Sequence, residues 1–174
     1  KAVFPSPADE QYEVDGFWDG GNDWKIRFLP DLAGKWTFHI TCSDEENRGL
    51  HNLSGAFRCT APLGGNAFSQ HGPIRVSRDR THFVHEDSTP FFWMADTAWN
   101  GPLKSNEFDW KHYLSERKRQ GFTAVQWVAT SWRGAPDGDA DGNKAFDGKE
   151  KISINPEFFQ RLDRRVEAIN DAGL

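Results

Sequence analysis

The amino-acid sequence predicts a chain in two parts, an antiparallel β unit followed by an α/β unit. Up to about residue 60, short alternating apolar and polar runs are cut by turn signals roughly ten residues apart. After the turn-rich stretch Ala61-Pro62-Leu63-Gly64-Gly65-Asn66, continuous apolar runs alternate with helix-period stripes. Alternation of that kind implies a parallel sheet with right-handed crossovers.

In the first part, turns fall at Asp19-Gly20-Gly21-Asn22-Asp23, at Pro30-Asp31-Leu32-Ala33-Gly34 and at Asn47-Arg48-Gly49. Four or five strands fit between them, fewer than a closed immunoglobulin-like sandwich needs, so earlier strands are expected to be missing. Period-2 spacing puts Trp36, Phe38, Ile40 and Cys42 on one face, and Phe57 and Cys59 on one face of the next strand. A hairpin centred on Asn47–Gly49 sets Ile40 opposite Phe57 and Phe38 opposite Cys59. The thiols are then on the order of 13 Å apart, too far to bridge. A two-step register shift would pair them, so free thiols and a disulfide both stay open.

In the second part, a hairpin is expected over Ile74–Ser77 and Phe83–His85, turning through Glu86-Asp87-Ser88-Thr89-Pro90. Phe91-Phe92-Trp93-Met94-Ala95 has the pattern of a strand buried on both faces. Ser105 is placed to cap a helix carrying Phe108, Trp110, Tyr113, Leu114 and Arg117, with Gly121 stopping it. Thr123–Ala129 is a second buried strand. Asn155-Pro156 opens another helix, on which Phe159, Leu162, Val166 and Ile169 form an apolar stripe. Gly173 ends that helix, and Leu174 is expected to begin a third strand.

Composition narrows the function classes. With 26 acidic and 21 basic side chains the formal net charge is −5, and no Lys/Arg cluster provides a nucleic-acid footprint. No apolar run approaches the roughly 20 residues of a membrane helix. The 14 Phe, 8 Trp and 2 Tyr supply enough aromatic surface to bury a core, which argues against disorder. The chain opens without Met and without a signal segment, so bacterial cytoplasmic and secreted locations stay open. No phosphate-cradling glycine loop, dinucleotide fingerprint or nucleophile elbow is present, and no cofactor is expected.

In parallel α/β architectures chemistry gathers at the carboxyl ends of strands. There the first loop, Asp96-Thr97-Ala98-Trp99-Asn100-Gly101-Pro102, sets a carboxylate beside an indole. The second, Thr130 to Ile154, is long enough to be functional and opens on Ser131-Trp132-Arg133, with Gln126 and Trp127 in the strand before it. Indoles stack on the apolar faces of sugars while Asp, Asn, Gln and Arg bond their hydroxyls. Asp96, Trp99, Asn100, Gln126, Trp132 and Arg133 are therefore candidate substrate-binding residues, although a capping Asp and a packed Trp account for any one position equally well. Asp137-Gly138-Asp139-Ala140-Asp141-Gly142 matches the first half of a calcium loop, but Gly148 replaces the bidentate Glu, so a solvated acidic turn fits better. His82 and His85 fall on opposite faces of a strand, a poor shared metal site. No metal is expected.

The run Gly16-Phe17-Trp18-Asp19-Gly20-Gly21-Asn22-Asp23-Trp24-Lys25-Ile26-Arg27-Phe28, with Pro30 and Gly34-Lys35-Trp36, resembles the immunoglobulin-like domain of unknown function that precedes the catalytic barrel in many bacterial carbohydrate-active enzymes. The second part resembles the apiosidase-like glycoside hydrolases, which are (β/α)8 barrels. Gly72-Pro73-Ile74-Arg75-Val76-Ser77, Pro90-Phe91-Phe92, Asp96-Thr97-Ala98-Trp99, Gly121-Phe122, Gln126, Asn155-Pro156, Phe158-Phe159, Asp163 and Ala172-Gly173-Leu174 carry that match. The resemblance implies a multidomain β plus α/β chain. A partial immunoglobulin-like β-sandwich over residues 1–62 would be followed, over 70–174, by a lead-in β-hairpin and the first two βα units of a (β/α)8 TIM barrel, the two in intramolecular contact.

It also implies hydrolysis of a glycosidic bond in a plant or microbial oligo- or polysaccharide. The catalytic carboxylates would come mainly from later strands, beyond Leu174, with Asp96 and Trp99 lining the pocket. A non-catalytic carbohydrate-binding module and a structural spacer are the competing readings.

Overall fold

The computed structural model describes residues 1–60, 65–130 and 133–174. The chain divides into two compact units, Lys1–Ala61 and Pro62–Leu174. Among the described residues no helix is long and apolar enough to cross a membrane.

Six strands make up the first unit: β1 (Ala2–Pro5), β2 (Gln11–Val14), β3 (Phe17–Gly20), β4 (Asp23–Lys25), β5 (Gly34–Ile40) and β6 (Leu53–Cys59). Four form an antiparallel sheet in the order β2-β1-β5-β6, and β3 and β4 form a separate hairpin. Trp36 is fully buried, with Phe57 stacked on it at 6.4 Å and Phe28 edge-on at 5.1 Å. Its indole N–H donates to the Leu32 carbonyl at 2.9 Å, so the buried donor is not orphaned.

The β5–β6 register differs from the one expected. Trp36 lies opposite Phe57, Phe38 opposite Gly55 and Ile40 opposite Leu53, so Cys59 faces Gly34 rather than Phe38. Cys42, beyond the end of β5, is then further from Cys59, and both thiols are free. Two features set this pairing. Residues 44–51 fold into local turns, with Leu50 and His51 both donating to the Asn47 carbonyl. The Phe38 ring lies over Gly55, where an added Cβ would sit 2.4 Å from Phe38 Cζ.

The second unit mixes helices with several small sheets. Helix α1 (Ala67–His71) leads into the three-stranded antiparallel sheet of β7 (Ile74–Val76), β8 (Phe83–His85) and β9 (Pro90–Phe91). Then follow β10 (Ala95–Trp99), the short helix α2 (Gly101–Lys104), α3 (Glu107–Arg119) and β11 (Ala124–Trp127). Strands β10 and β11 pair in parallel across that helical crossover. A two-stranded hairpin, β12 (Phe146–Asp147) with β13 (Ser153–Ile154), precedes α4 (Pro156–Ala172).

Several local expectations shift. The apolar run Phe91–Ala95 is not one doubly buried strand: Phe91 ends β9, Ala95 starts β10, and Phe92 between them is 73% exposed. The cap of α3 is Asn106, whose side chain accepts from the Asp109 N–H, because Ser105 already ends α2. Phe108 is exposed and stacks on His112. On α4, Asn155 caps and Gly173 closes in the left-handed conformation at φ +74°. Its buried residues are Phe158, Arg161, Leu162 and Arg165, whereas Val166 faces solvent. Leu174 is buried beside Trp110 and Leu114 without joining a strand.

The two buried arginines bind the carbonyl end of α2. Arg161 Nη1 donates to Pro102 at 3.1 Å and Leu103 at 2.9 Å, and Nη2 donates to Ser105 at 2.8 Å. Arg165 donates to Ser105 at 2.8 Å and Asn106 at 3.3 Å. Burial, then the neighbouring Arg161 charge, pulls the Arg165 guanidinium below its ordinary value. The Asp139 and Asp141 carboxylates face Arg161 at 3.7 and 3.3 Å.

Two substitutions test this framework. Gly55→Ala forces the Phe38 ring aside and lowers stability by about 2 kcal/mol, measured as a shifted urea midpoint. Arg161→Met, which leaves Asp139 buried and uncompensated, costs about 3 kcal/mol, while Arg164→Met at an exposed position of the same helix changes stability by under about 0.5 kcal/mol.

Candidate functional site

The carboxyl end of β10 is organised by the alternation of its side chains. Ala98 packs with Trp110 and Leu114 of α3. Asp96, on the same side, accepts from the Tyr113 hydroxyl at 2.8 Å and from Arg117 Nε. Thr97 lies on the other face, where its hydroxyl is 3.4 Å from Gln126 Oε1 of β11. The pairing of the two strands slips between Thr97 and Trp99, and Trp99 adopts φ +49°. A bulky residue in that region is strained, and such strain is held at a site only when the surroundings over-determine it. The Val128 N–H donates to the Trp99 carbonyl at 2.8 Å and helps hold it there. The indole is 49% exposed.

The expected site residues therefore separate. Thr97 and Gln126 touch on an accessible face, and the exposed Trp99 follows at the strand end, in register with Trp127. Asp96 is turned towards α3 and already committed. Asn100 bridges the two loops, its side-chain amide donating to the Gly134 carbonyl at 2.7 Å. Arg133 is exposed on the loop after β11. Trp132 lies outside the described residues. The sequence marks Thr97, Tyr113 and Arg117 as motif and helix residues but not as site residues. The signal for the last two was available, since Tyr113 and Arg117 are four apart and share one face of α3.

Charge sets the behaviour of the Asp96 cluster. The Arg117 guanidinium, then the Tyr113 hydroxyl, hold the Asp96 carboxyl below its usual range. Burial, then the Asp96 carboxylate, pushes the Tyr113 phenol up to about 12, so it stays a donor. The Arg117 guanidinium also sits over the Tyr113 and Phe122 rings at 4.9 and 5.4 Å.

The acidic turn is solvated in part, as expected, with Asp137 and Asp141 exposed. Asp139 is buried and accepts from the Asp141 and Asn143 N–H groups, both at 2.9 Å, while facing Arg161. Among the described residues no group of three His, Cys, Asp or Glu gathers where a metal ion could be held. The His85 ring donates from Nδ1 to the Gly72 carbonyl at 2.8 Å, and His82 Nδ1 pairs with Thr81 at 2.9 Å.

The profile of the apiosidase-like, catalytic domain matches residues 77–174, more than half of the sequence. The chain belongs to the apiosidase-like family. Residues 1–43 match a domain of unknown function (DUF5060). The crystal structure of a putative glycoside hydrolase from Bacteroides vulgatus ATCC 8482 aligns with 99% of this apiosidase-like chain at 25% identity and a TM-score of 0.75. The alignment takes up 35% of that structure, so the chain spans about a third of its length. A second solved structure, named glycoside hydrolase, aligns over 60% of this chain and 24% of its own at 21% identity and a TM-score of 0.50, a likeness of fold alone. A glycoside hydrolase family 5 structure, also from Bacteroides vulgatus ATCC 8482, aligns over 64% of this chain and 25% of its own at 18% identity. Its TM-score of 0.48 is too low to carry an argument. No curated protein matches the sequence.

The lowered Asp96 carboxyl fixes the sign of a pH effect in this apiosidase-like chain. Stability from the Asp96–Arg117 contact is fully present above the ordinary Asp value near about 4 and is lost as pH falls through the depressed folded value. Asp96→Asn is therefore destabilising at pH 7, and its stability deficit shrinks when urea midpoints of both proteins are compared below about pH 4.

Proposed function

We propose that this chain is the N-terminal portion of a glycoside hydrolase acting on a plant or microbial polysaccharide. In this reading residues 1–62 belong to an immunoglobulin-like sandwich, and residues 70–174 supply a lead-in hairpin and the first two βα units of a (β/α)8 barrel. The observation that carries it is the end of β10, where the exposed Trp99 is held in a strained conformation two residues past the Thr97–Gln126 contact. An indole face next to hydroxyl and amide groups suits a sugar ring, whose C–H face stacks while its hydroxyls hydrogen-bond. Membership of the apiosidase-like family supports glycosidic bonds as the target.

Trp99 and Gln126 are the proposed sugar contacts here, with Trp132 and Arg133 on the following loop. Asp96 and Asn100 are positioning residues, because their side chains are spent on Arg117, Tyr113 and Gly134. Hydrolysis needs two carboxyl groups flanking the scissile bond. Those are assigned to later barrel strands, since Asp96 is already neutralised by Arg117.

The same commitment of Asp96 favours a second reading, a carbohydrate-binding or spacer module without its own chemistry. One experiment separates the two. The full-length protein is incubated with a panel of branched plant polysaccharides, and both binding and released reducing sugar are measured. Release that falls about tenfold in kcat/KM with Trp99→Ala supports the hydrolase. Binding without release supports the module. Neither binding nor release across the panel overturns both.

A further inference from the structure

We infer that the β3–β4 hairpin is a second carbohydrate-contact surface, on which Trp18 and Trp24 stack against the apolar faces of sugar rings. Trp18 and Trp24 are direct cross-strand partners, so both side chains leave the same face of the hairpin. They are 40% and 53% exposed. Two neighbouring indoles left in water need a reason, because large aromatics are the residues that most favour burial by area.

The rest of the hairpin leaves that face free. Its opposite face is closed by its own partners: Asp19 is buried and ion-paired with Lys25, and the Arg27 guanidinium sits 4.8 Å from the Phe17 ring centroid. Trp18 is also anchored, its indole N–H donating to the Gly21 carbonyl at 3.0 Å. An aromatic ring fixed before binding loses little rotamer freedom on contact, which favours a weak ligand such as a glycan.

Charge selects the occupant. Asp19 and Lys25 compensate each other, and the tip carries the exposed side chains of Asn22 and Asp23. Asp19 and Asp23 are balanced by Lys25 and Arg27, so the hairpin offers no net charge to draw nucleic acids or anionic lipid surfaces, while the Asn22 amide and Asp23 carboxylate at the tip can hydrogen-bond sugar hydroxyls. A neutral polysaccharide meets both the apolar faces and the polar tip. The inference rests on the polysaccharide reading above only for the choice of probe.

The test is affinity electrophoresis of the full-length protein through gels containing soluble arabinoxylan, xyloglucan or mixed-linkage β-glucan. Wild type is compared with Trp24→Ala, Trp24→Tyr, Trp24→Gln and Trp99→Ala, with thermal midpoints measured in parallel. The expected result is an apparent Kd raised about fivefold by Trp24→Ala and left near the wild-type value by Trp24→Tyr, with hydrolysis of short oligosaccharides unchanged. Trp24→Gln, which keeps bulk without a ring, gives the same loss and serves if alanine lowers the thermal midpoint. Retardation unaltered by Trp24→Ala and Trp24→Gln but weakened by Trp99→Ala overturns the hairpin surface and leaves the strand-end site standing. A wild-type protein retarded by none of the gels overturns both.

Discussion

The carbonyl end of α2 is the point on which the second unit depends. A four-residue helix cannot satisfy its own last carbonyls, and here they lie in the interior, where an unpaired acceptor is costly. Arg161 and Arg165 reach them from a helix 56 to 60 positions further along the chain. A guanidinium suits this task because its planar fork serves several acceptors while its stem packs among apolar neighbours. The loop between β11 and α4 joins the same node. The Leu103 carbonyl also accepts from Ala140, Lys104 donates to Gly138, and Asp139 faces Arg161. The cluster need not be strongly stabilising in net terms, since desolvating the charges offsets much of their attraction. Its effect is geometric, fixing how α4 lies against the first crossover.

That geometry determines which side chains of the strand end stay accessible. With α3 covering one side of β10, period-2 alternation sends Asp96 and Ala98 inward and leaves Thr97 for the opposite face, where Gln126 meets it. The most reactive-looking residue of the Asp96-Thr97-Ala98-Trp99 motif is therefore a brace between strand and helix, and the accessible chemistry belongs to its neighbours. Arg117 contributes three ways to that brace, binding the carboxylate and covering the Tyr113 and Phe122 rings.

Much of this was legible in the sequence where local rules act alone. The Asn155-Pro156 start and Gly173 stop of α4 and the β7–β8 hairpin follow from caps, turns and periodicity, and so does a parallel strand pair, although its first strand was expected over Phe91–Ala95 and lies at Ala95–Trp99, the residues assigned to the loop. The failures lie where side chains far apart in sequence decide. Counting only apolar residues placed Val166 on the inner stripe, although Arg161 and Arg165 continue the spacing of Phe158 and Leu162. Nothing local indicated that α2 needed those charges. The β5–β6 register missed because a turn at Asn47–Gly49 was given the centre of the hairpin, whereas the fit of Phe38 over Gly55 sets it. At the strand end, the Asp96 motif was recognised but its direction was not, since that depends on which face α3 covers.

The long reach of the arginine contacts also orders events in time. As the chain emerges during synthesis, β10, α3 and β11 are complete before Arg161 leaves the ribosome, so α2 waits with its carbonyls solvated. Closing a loop of that span carries an entropic cost before any of its contacts form. The same docking of α4 that closes it therefore joins α2 and the Asp139 turn to one helix.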